Sequence, residues 1–224
     1  MRSPVVSSVS TPDPASAKSP TVCVFCGSSP GKSPAHLAAA RALGETLHAQ
    51  GLKLVYGGGP GMMAEVAQTL VSLSGPSAVH GIVPEPLMLF EQGPDRAIDE
   101  AVYGRTTVVP DMHTRKQLMA REVMDGGPGG GFVALSGGYG TMEELMEVVT
   151  WNQLGIHERG IVVFNVEGYY DGLLQWVANA VDAGFIGKSN QNIMIEAKTA
   201  TEVVEALRGY VVSKGRFNLA WGKQ

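Results

Sequence analysis

The sequence has few cysteines, no run of basic residues and no long apolar run. Two cysteines occur among 224 residues, and 17 Lys and Arg side chains stand against 21 Asp and Glu, which gives a net charge of −4. Without a basic run the chain cannot neutralise many phosphates, so general nucleic-acid binding is excluded. Without an apolar run of roughly 18–20 residues, no helix can span a bilayer. We therefore expect a soluble, cytoplasmic protein with neither a nucleic-acid nor a membrane partner.

The cysteines, Cys23 and Cys26, lie in a segment with the alternation of a β-strand, Thr-Val-Cys-Val-Phe-Cys. At this spacing the two side chains point to opposite faces, so they are poorly placed to form a disulfide. We expect two buried thiols instead. The histidines show no metal-ligand spacing, so we expect no metal site.

The order of the segments predicts one doubly wound, Rossmann-like α/β domain over residues 21–214, with a parallel sheet and helices on both faces. It is preceded by a Ser/Pro-rich tail, 1–20, with too few apolar groups to fold, and followed by a C-terminal tail, 215–224. The predicted strands are 21–26, 52–56, 78–83, 106–109, 131–135, 160–166 and 192–196. The predicted helices are 34–49, 61–73, 112–125, 141–154, 169–183 and 199–212.

Three loops that follow predicted strands are rich in glycine and small hydroxyl residues. They are Cys-Gly-Ser-Ser at 26–29, Gly-Gly-Gly-Pro-Gly at 57–61 and Ser-Gly-Gly-Tyr-Gly-Thr at 136–141. Such loops expose backbone N–H groups next to the positive end of a helix, which favours phosphate binding. A tight turn explains the first or the second loop alone. The three together predict a phosphorylated ligand, with Ser28 as a candidate contact.

The second loop also fits a dinucleotide fingerprint through Gly59, Gly61 and Ala64, with Glu85 about 20 residues later. However, it follows the second predicted strand instead of the first, and Pro60 lies inside it. A dinucleotide oxidoreductase is therefore an alternative with little support.

Acidic side chains crowd the helix that follows the third loop. We expect its apolar face to leave the acids on the opposite face; the apolar residues are Met142, Leu145, Met146 and Val149, and the acids are Glu143, Glu144 and Glu147. Like charges beside a phosphate repel each other, which implies a cationic partner or a chemical task.

The candidate cations are Arg115 and Lys116, near the start of the preceding helix. They flank the expected buried stripe of that helix, which consists of Met112, Met119 and Val123, whereas Arg121 lies on the far side. Arg115 can therefore reach a buried anion.

Six segments of the sequence together resemble one family. They are Val-Cys-Val-Phe-Cys-Gly-Ser-Ser (22–29), Val-Tyr-Gly-Gly-Gly (55–59), Asp-Met-His-Thr-Arg-Lys (111–116), the pattern P-G-G-x-G-T-x-x-E at 136–144, Thr-Trp-Asn-Gln-Leu-Gly-Ile-His (150–157) and Gly-Tyr-Tyr (168–170). The family is LONELY GUY, the cytokinin riboside 5′-monophosphate phosphoribohydrolases, and the resemblance runs from Val22 to about Tyr210. Two features depart from it: Ser136 replaces the proline of the signature, and Asp-Gly-Gly-Pro-Gly-Gly-Gly (125–131) resembles an insertion.

The resemblance implies hydrolysis of an N6-modified adenosine 5′-monophosphate to the free base, an active cytokinin, and ribose 5-phosphate, without a cofactor. It implies that Arg115 and Glu144 are catalytic. The substrate-binding residues that we predict with it are Glu91, Lys116, Gly138, Tyr139, Gly140, Thr141, Met142, Glu143 and Thr150. It further implies a homodimer or higher homo-oligomer, for which we expect Trp151 and Leu154 to be exposed.

Four questions stay open at this point. Either Glu143 or Glu144 can position the attacking water, and the sequence does not rank AMP against its N6-modified forms. Some relatives are labelled lysine decarboxylases, which requires a lysine that binds pyridoxal phosphate, and Lys116 is poorly suited to that role. A protein that binds a nucleotide as a sensor or carrier, without cleaving it, is the main alternative from another class.

Overall fold

The computed structural model describes residues 18–92 and 98–221, with only the backbone described for 89–92. Within these residues the chain forms seven strands, β1 (Thr21–Phe25), β2 (Lys53–Tyr56), β3 (Val79–Pro84), β4 (Arg105–Val109), β5 (Gly131–Ala134), β6 (Gly160–Phe164) and β7 (Met194–Ala197). The helices are α1 (Pro34–Ala49), α2 (Met62–Ser74), α3 (Glu85–Gln92), α4 (Glu100–Tyr103), α5 (Met112–Asp125), α6 (Tyr139–Gln153), α7 (Asp171–Asp182) and α8 (Ala200–Arg208). None of the helices in these residues is both long and apolar enough to cross a membrane.

The strands form one parallel sheet in the order β4-β3-β2-β1-β5-β6-β7. From the central strand β1 the chain builds outward to β4 and then crosses back to add β5 on the other side of β1. The loops after β1 and β5 therefore lie at the switch point of the topology, where ligands of such folds bind. The predicted doubly wound, Rossmann-like fold is confirmed.

An apolar cluster covers each face of the sheet. Leu43 of α1 and Leu70 of α2 belong to one cluster, and Met119 of α5 belongs to the other. Cys26 lies in the first cluster and Cys23 in the second, both buried and unpaired, as predicted from their spacing. Burial raises the pKa of both thiols, so they are protonated and unreactive.

The structure contains two helices that the sequence pattern did not predict. Helix α3 follows β3 without a loop, and Pro86 does not interrupt it because a proline in the first turn removes an N–H that has no intrahelical partner. Helix α4 is a single turn, capped by the Asp99 carboxylate, which accepts a hydrogen bond from the Ala101 N–H at 3.0 Å. Helix α6 begins at Tyr139, earlier than the predicted residue 141.

After α8 the chain returns across the C-terminal end of α6. The Phe217 N–H donates to the carbonyl oxygen of Gln153 at 2.8 Å, and the Trp221 indole donates to that of Leu154 at 2.9 Å. Leu154 and Trp151 are half-buried, so the expectation that they are exposed was wrong. The reason is that the Trp151 ring packs against the apolar cluster beneath α6.

Candidate active site

The three glycine-rich loops meet around a cavity of about 400 Å³ at the carboxyl edge of the sheet. The loops after β1, β2 and β5 form its polar wall, together with Arg115 from α5 and Glu144 from α6. Apolar side chains complete the wall, namely Met63, Val83, Leu87 and Met112. The volume falls within the range of about 300–1,000 Å³ that is usual for small-molecule sites.

Glycines of the second loop, among them Gly57 and Gly61, let it pack closely against Arg115 and against the first loop. A Cβ atom on Gly57 would lie 1.9 Å from Nη2 of Arg115, so the guanidinium occupies the space of a missing side chain. A Cβ on Gly61 would lie 2.4 Å from the carbonyl oxygen of Ser28, and Gly61 has a positive φ of 65°. These glycines therefore serve close packing around the cavity.

The N-terminus of α6 opens directly onto this cavity. Gly138 precedes the helix and caps it with no side chain, and the first intrahelical bond runs from the Met142 N–H to the carbonyl of Gly138 at 3.1 Å. The N–H groups of residues 139–141 consequently have no intrahelical acceptor. A Cβ on Gly138 or Gly140 would meet no atom within 4 Å, and Tyr139 is 98% exposed. The arrangement is that of an anion-binding helix terminus.

Helix α5 directs Arg115 into the cavity wall. The Asp111 carboxylate caps the helix by accepting bonds from the Thr114 N–H at 2.8 Å and the Thr114 hydroxyl at 3.0 Å, and these bonds lower the pKa of Asp111. Arg115 follows and is only 7% exposed, alongside the buried Met119. Met112, which we expected in the buried stripe, is 39% exposed at the cavity, because the arginine takes the inner position of the first turn.

Arg115 and Glu144 form a buried ion pair. Arginine Nη2 lies 3.3 Å from Oε1 of Glu144, and the residues are 7% and 6% exposed. The angles of this contact do not make a directed hydrogen bond: among the described residues, Glu144 Oε1 and Arg115 Nε have no hydrogen-bond partner. Buried polar atoms without partners are costly, and they mark places where a ligand or water completes the bonding.

Glu144 lies on the buried side of α6, contrary to the predicted division of that helix. Thr141, Leu145 and Val148 share this side with it. The prediction was wrong because it treated every carboxylate as solvated, whereas Arg115 supplies the charge that makes the burial tolerable. Burial raises the pKa of Glu144; the charge of Arg115 opposes the increase, and the charge of Glu143 adds to it. A raised pKa brings the carboxyl closer to the range of a general base.

Lys116 belongs to a neighbouring cluster. Its amine pairs with Glu143 and lies 3.2 Å from Oε1 of Glu147. Burial would lower the pKa of Lys116, but the hydrogen bonds to the two carboxylates outweigh it and raise the pKa. Lys116 and Glu147 line a separate cavity of about 440 Å³ with Trp151. The pairing neutralises the repulsion between the two glutamates that the sequence suggested.

The other predicted binding residues differ in their relation to the cavity. Ser28 and the segment 138–141 line it. Met142 packs partly into the core, and the Thr150 hydroxyl donates to the carbonyl of Met146 at 2.8 Å on the exposed side of α6. Glu91 lies in α3, but its side chain is outside the described part of the structure.

Sequence reasoning missed the side chains that hold the loop after β5. The Tyr170 hydroxyl donates to the carbonyl of Leu135 at 2.6 Å, and the Tyr169 hydroxyl donates to that of Gly137. Ser136 Oγ lies 3.0 Å from Nδ1 of His36. The Gly-Tyr-Tyr segment was a signal for the two tyrosines, although its pattern assigned no role to them.

Fold and cavity together define a Rossmann-like α/β protein with a glycine-rich loop and a helix N-terminus at its switch point, a geometry that suits an anion. A family model described as "Possible lysine decarboxylase" matches residues 61–207. Cytokinin riboside 5′-monophosphate phosphoribohydrolase LOG5 of Arabidopsis thaliana is 43% identical over 205 residues, which are 88% of this chain and 84% of that protein. The probable cytokinin riboside 5′-monophosphate phosphoribohydrolase LOGL3 of Oryza sativa subsp. japonica is 45% identical over 190 residues, which are 84% of this chain and 83% of that protein. The chain belongs to the LONELY GUY family.

A longer relative and a more distant structure extend the comparison. The "Bifunctional cytokinin biosynthesis protein" of Fusarium pseudograminearum is 56% identical over 191 residues, 83% of this chain, but the chain spans only 39% of that protein. The solved molybdenum cofactor carrier protein of Chlamydomonas reinhardtii superposes with a TM-score of 0.59 over 85% of this chain and 97% of its own, at 19% identity. At this identity the similarity concerns the fold alone.

The description of the family model names a decarboxylase, and such chemistry requires a lysine Schiff base with pyridoxal phosphate. No lysine of the described residues lines the cavity of the three loops. Lys116, the nearest in sequence to Arg115, holds its amine between Glu143 and Glu147, which keep it protonated. A protonated amine cannot attack a carbonyl, so the residues present do not fit this cofactor.

Proposed function

We propose that the protein hydrolyses the N-glycosidic bond of adenosine 5′-monophosphates, including N6-modified ones, to the free base and ribose 5-phosphate. The observation that carries the proposal is the buried pair of Arg115 and Glu144 beside the N-terminus of α6, in one cavity. An anion site and a carboxylate that share a cavity match a substrate with a phosphate at one end and a scissile bond further along. The names of the Arabidopsis and Oryza relatives support the same reaction.

The phosphate of the substrate binds to the N–H groups of residues 139–141. These groups converge at the positive end of a helix of 15 residues, and the absent side chains of Gly138 and Gly140 leave room for the anion. Binding energy from the phosphate, which does not react, is used to orient the ribose toward Glu144.

Glu144 stabilises the reaction at C1′ of the ribose. As the C1′–N9 bond breaks, its electron pair leaves with the base and positive charge develops on the ring, which a nearby carboxylate stabilises. The water oxygen then bonds to C1′ and gives one proton to Glu144, the departing base takes up one proton from solvent, and Glu144 returns its proton to solvent, so that one water is consumed in all. Of the two candidates for positioning this water, we favour Glu144, because Glu143 is bound to Lys116 outside the cavity.

Arg115 anchors the nucleotide and balances the negative charge that develops on the leaving base. Its guanidinium is fixed by the fit against Gly57, and its buried Nε has no hydrogen-bond partner within the described part of the chain. The apolar wall of Met63, Val83, Leu87 and Met112 suits an apolar substituent on N6 of the adenine.

We further propose that the protein forms a homodimer or higher homo-oligomer, which sedimentation velocity tests.

The activity itself is tested by incubating the protein with AMP, isopentenyladenosine monophosphate, GMP and CMP and measuring ribose 5-phosphate and free base. We expect release from the adenine nucleotides and none from adenosine. Tight binding of AMP with no ribose 5-phosphate above the level of a Glu144→Gln control would instead identify a nucleotide sensor or carrier.

A further inference from the structure

One imidazole links three loops around the phosphate site. His36 lies in the first turn of α1, and its Nδ1 is 3.0 Å from Oγ of Ser136, in the loop after β5. Its ring meets the Tyr169 ring edge to face, with centroids 5.9 Å apart. In the loop after β1, a Cβ on Gly31 would be 3.1 Å from His36 Cδ2. The side chain thus contacts the segments that follow β5 and β6 and lies close to the loop after β1.

The partners of His36 in turn hold the backbone that leads into α6. The Tyr169 hydroxyl donates to the carbonyl of Gly137, and the carbonyl of Ser136 accepts a hydrogen bond from the Gly27 N–H at 3.0 Å. Ser136 is only 5% exposed. Residues 138–141, which offer the N–H groups for phosphate, come directly after this restrained pair of residues.

The hydrogen bond to His36 explains how the backbone at residue 136 can be restrained although Ser136 stands where the family signature has proline. Proline fixes φ near −65°, whereas serine leaves this angle free. A hydroxyl that is hydrogen-bonded to a side chain of another helix restrains the same residue from outside. We infer that His36 is a positioning residue, which through Ser136 and Tyr169 fixes the phosphate-binding loop and so sets the preference for 5′-monophosphates over nucleosides. This inference rests on the proposed function.

Four variants test whether the hydrogen bond at Nδ1 carries this effect. His36→Ala and Ser136→Ala each remove it, and we expect each to lower the ratio of AMP affinity to adenosine affinity by roughly threefold to tenfold, the range for one lost hydrogen bond. His36→Asn should retain most of the ratio because the asparagine amide reaches about the position of Nδ1. His36→Gln should lower the affinity ratio as His36→Ala does, because the glutamine amide reaches the position of Nε2 instead of that of Nδ1.

Two further variants separate positioning from general stability. The double variant His36→Ala/Ser136→Ala should be no worse than either single one, because both remove the same bond. Ser136→Pro in the His36→Ala background should recover most of the ratio, because proline restrains φ without the imidazole. The matched control is His48→Ala, which removes a similar bond on the same helix, from Nδ1 to Ser74 Oγ at 2.7 Å, away from the site.

Calorimetric Kd values for AMP and adenosine and thermal melts are measured on every variant, with kcat and KM for AMP where turnover occurs. The inference fails if His36→Ala and His48→Ala have the same affinity ratio, or if asparagine and glutamine behave alike. It also fails if the wild type binds AMP no better than adenosine. A wild type that prefers AMP but releases no ribose 5-phosphate refutes the proposed reaction alone, since the affinity ratios still report on His36.

Discussion

Arg115 Nη2 and Glu144 Oε1 lie 3.3 Å apart, and both residues line the cavity that the N-terminus of α6 also lines. The two charges come from different helices, and each is nearly excluded from water. The arginine partly offsets the effect of burial on the glutamate, and the carboxylate can therefore be ionised while it faces a substrate.

Replacing Glu144 by Gln should abolish base release while leaving the Kd for AMP within roughly a factor of ten. The change removes a charge that matters in the transition state but little ground-state contact. Turnover is measured as ribose 5-phosphate released, and binding by calorimetry. Wild-type turnover in this variant would exclude Glu144 from the mechanism.

The pH dependence of kcat/KM should reflect the ionisation of the Glu144 carboxyl. Burial raises the pKa of Glu144, so activity that requires its ionised form is lost as the pH falls through a value above that of an ordinary glutamate. This loss of activity at low pH is measured as kcat/KM for AMP between pH 4.5 and 8, with the fold of the protein checked at each pH. A flat profile down to pH 4.5 would contradict the assignment.

Arg115→Ala should reduce turnover far more than Arg121→Ala. Arg115 is buried against the cavity, whereas Arg121 is a half-buried residue of the same helix that does not line it. We expect a cost on the order of 2–4 kcal/mol in activation free energy for Arg115. Arg115→Lys should restore little, because an ammonium cannot reproduce the planar guanidinium.

This comparison requires that both alanine variants keep their melting temperature and sedimentation behaviour. If an intact Arg121→Ala protein had the larger kinetic defect, the arginine at the cavity would not be the functional one.

Gly138→Ala combined with Thr141→Val should weaken 5′-monophosphates much more than nucleosides. A methyl group on Gly138 meets no protein atom within 4 Å, so it enters the space proposed for the anion without a clash inside the protein. Affinities for AMP and adenosine are compared with those of Gly172→Ala, a glycine on α7 with equally open surroundings. Equal losses for both ligands would indicate that the phosphate binds elsewhere.

His157 should make the stability of the fold depend on pH. Its Nε2 donates to the carbonyl of Val148 at 2.9 Å and its Nδ1 accepts from the Arg159 N–H at 3.1 Å, and burial lowers its pKa to about 4. The unfolded chain takes up a proton near pH 6.5 and the native one does not, so stability is complete above pH 6.5 and is lost as the pH falls toward 4. This effect amounts to roughly 3 kcal/mol.

The contribution of His157 to the pH dependence of stability is measured by urea unfolding at pH 7, 5.5 and 4.5. The proteins compared are the wild type, His157→Gln and the exposed-site control His48→Gln. The slope of stability against pH should be shallower in His157→Gln only. A slope that His157→Gln leaves unchanged would assign the acid sensitivity to other groups.

The sheet and the glycine-rich loops could be predicted from the sequence, but the side of each helix that is buried could not. Continuous apolar strands and glycine-rich loops are local patterns, so β1 to β7 and the cavity edge could be predicted. The burial of Glu144 depends on Arg115, which lies 29 positions away in the chain (144 − 115) and meets it only in the fold. The contact between His36 and Ser136 likewise joins residues 100 positions apart, and no local pattern reports it.

Arg115 Nε and Glu144 Oε1, which have no hydrogen-bond partner among residues 18–88 and 98–221, also allow the melting temperature of the protein to report ligand binding. A molecule that completes their bonding binds the native chain and not the unfolded one, and it adds about 2.7 kcal/mol to the unfolding free energy at a hundredfold excess over Kd. Under the proposed function, we expect adenosine to engage the ion pair but not the helix terminus, and ribose 5-phosphate to reach the helix terminus without a base. A thermal-shift series with these two fragments and the whole nucleotide would therefore resolve the two ends of the cavity separately, even in a variant that has no turnover.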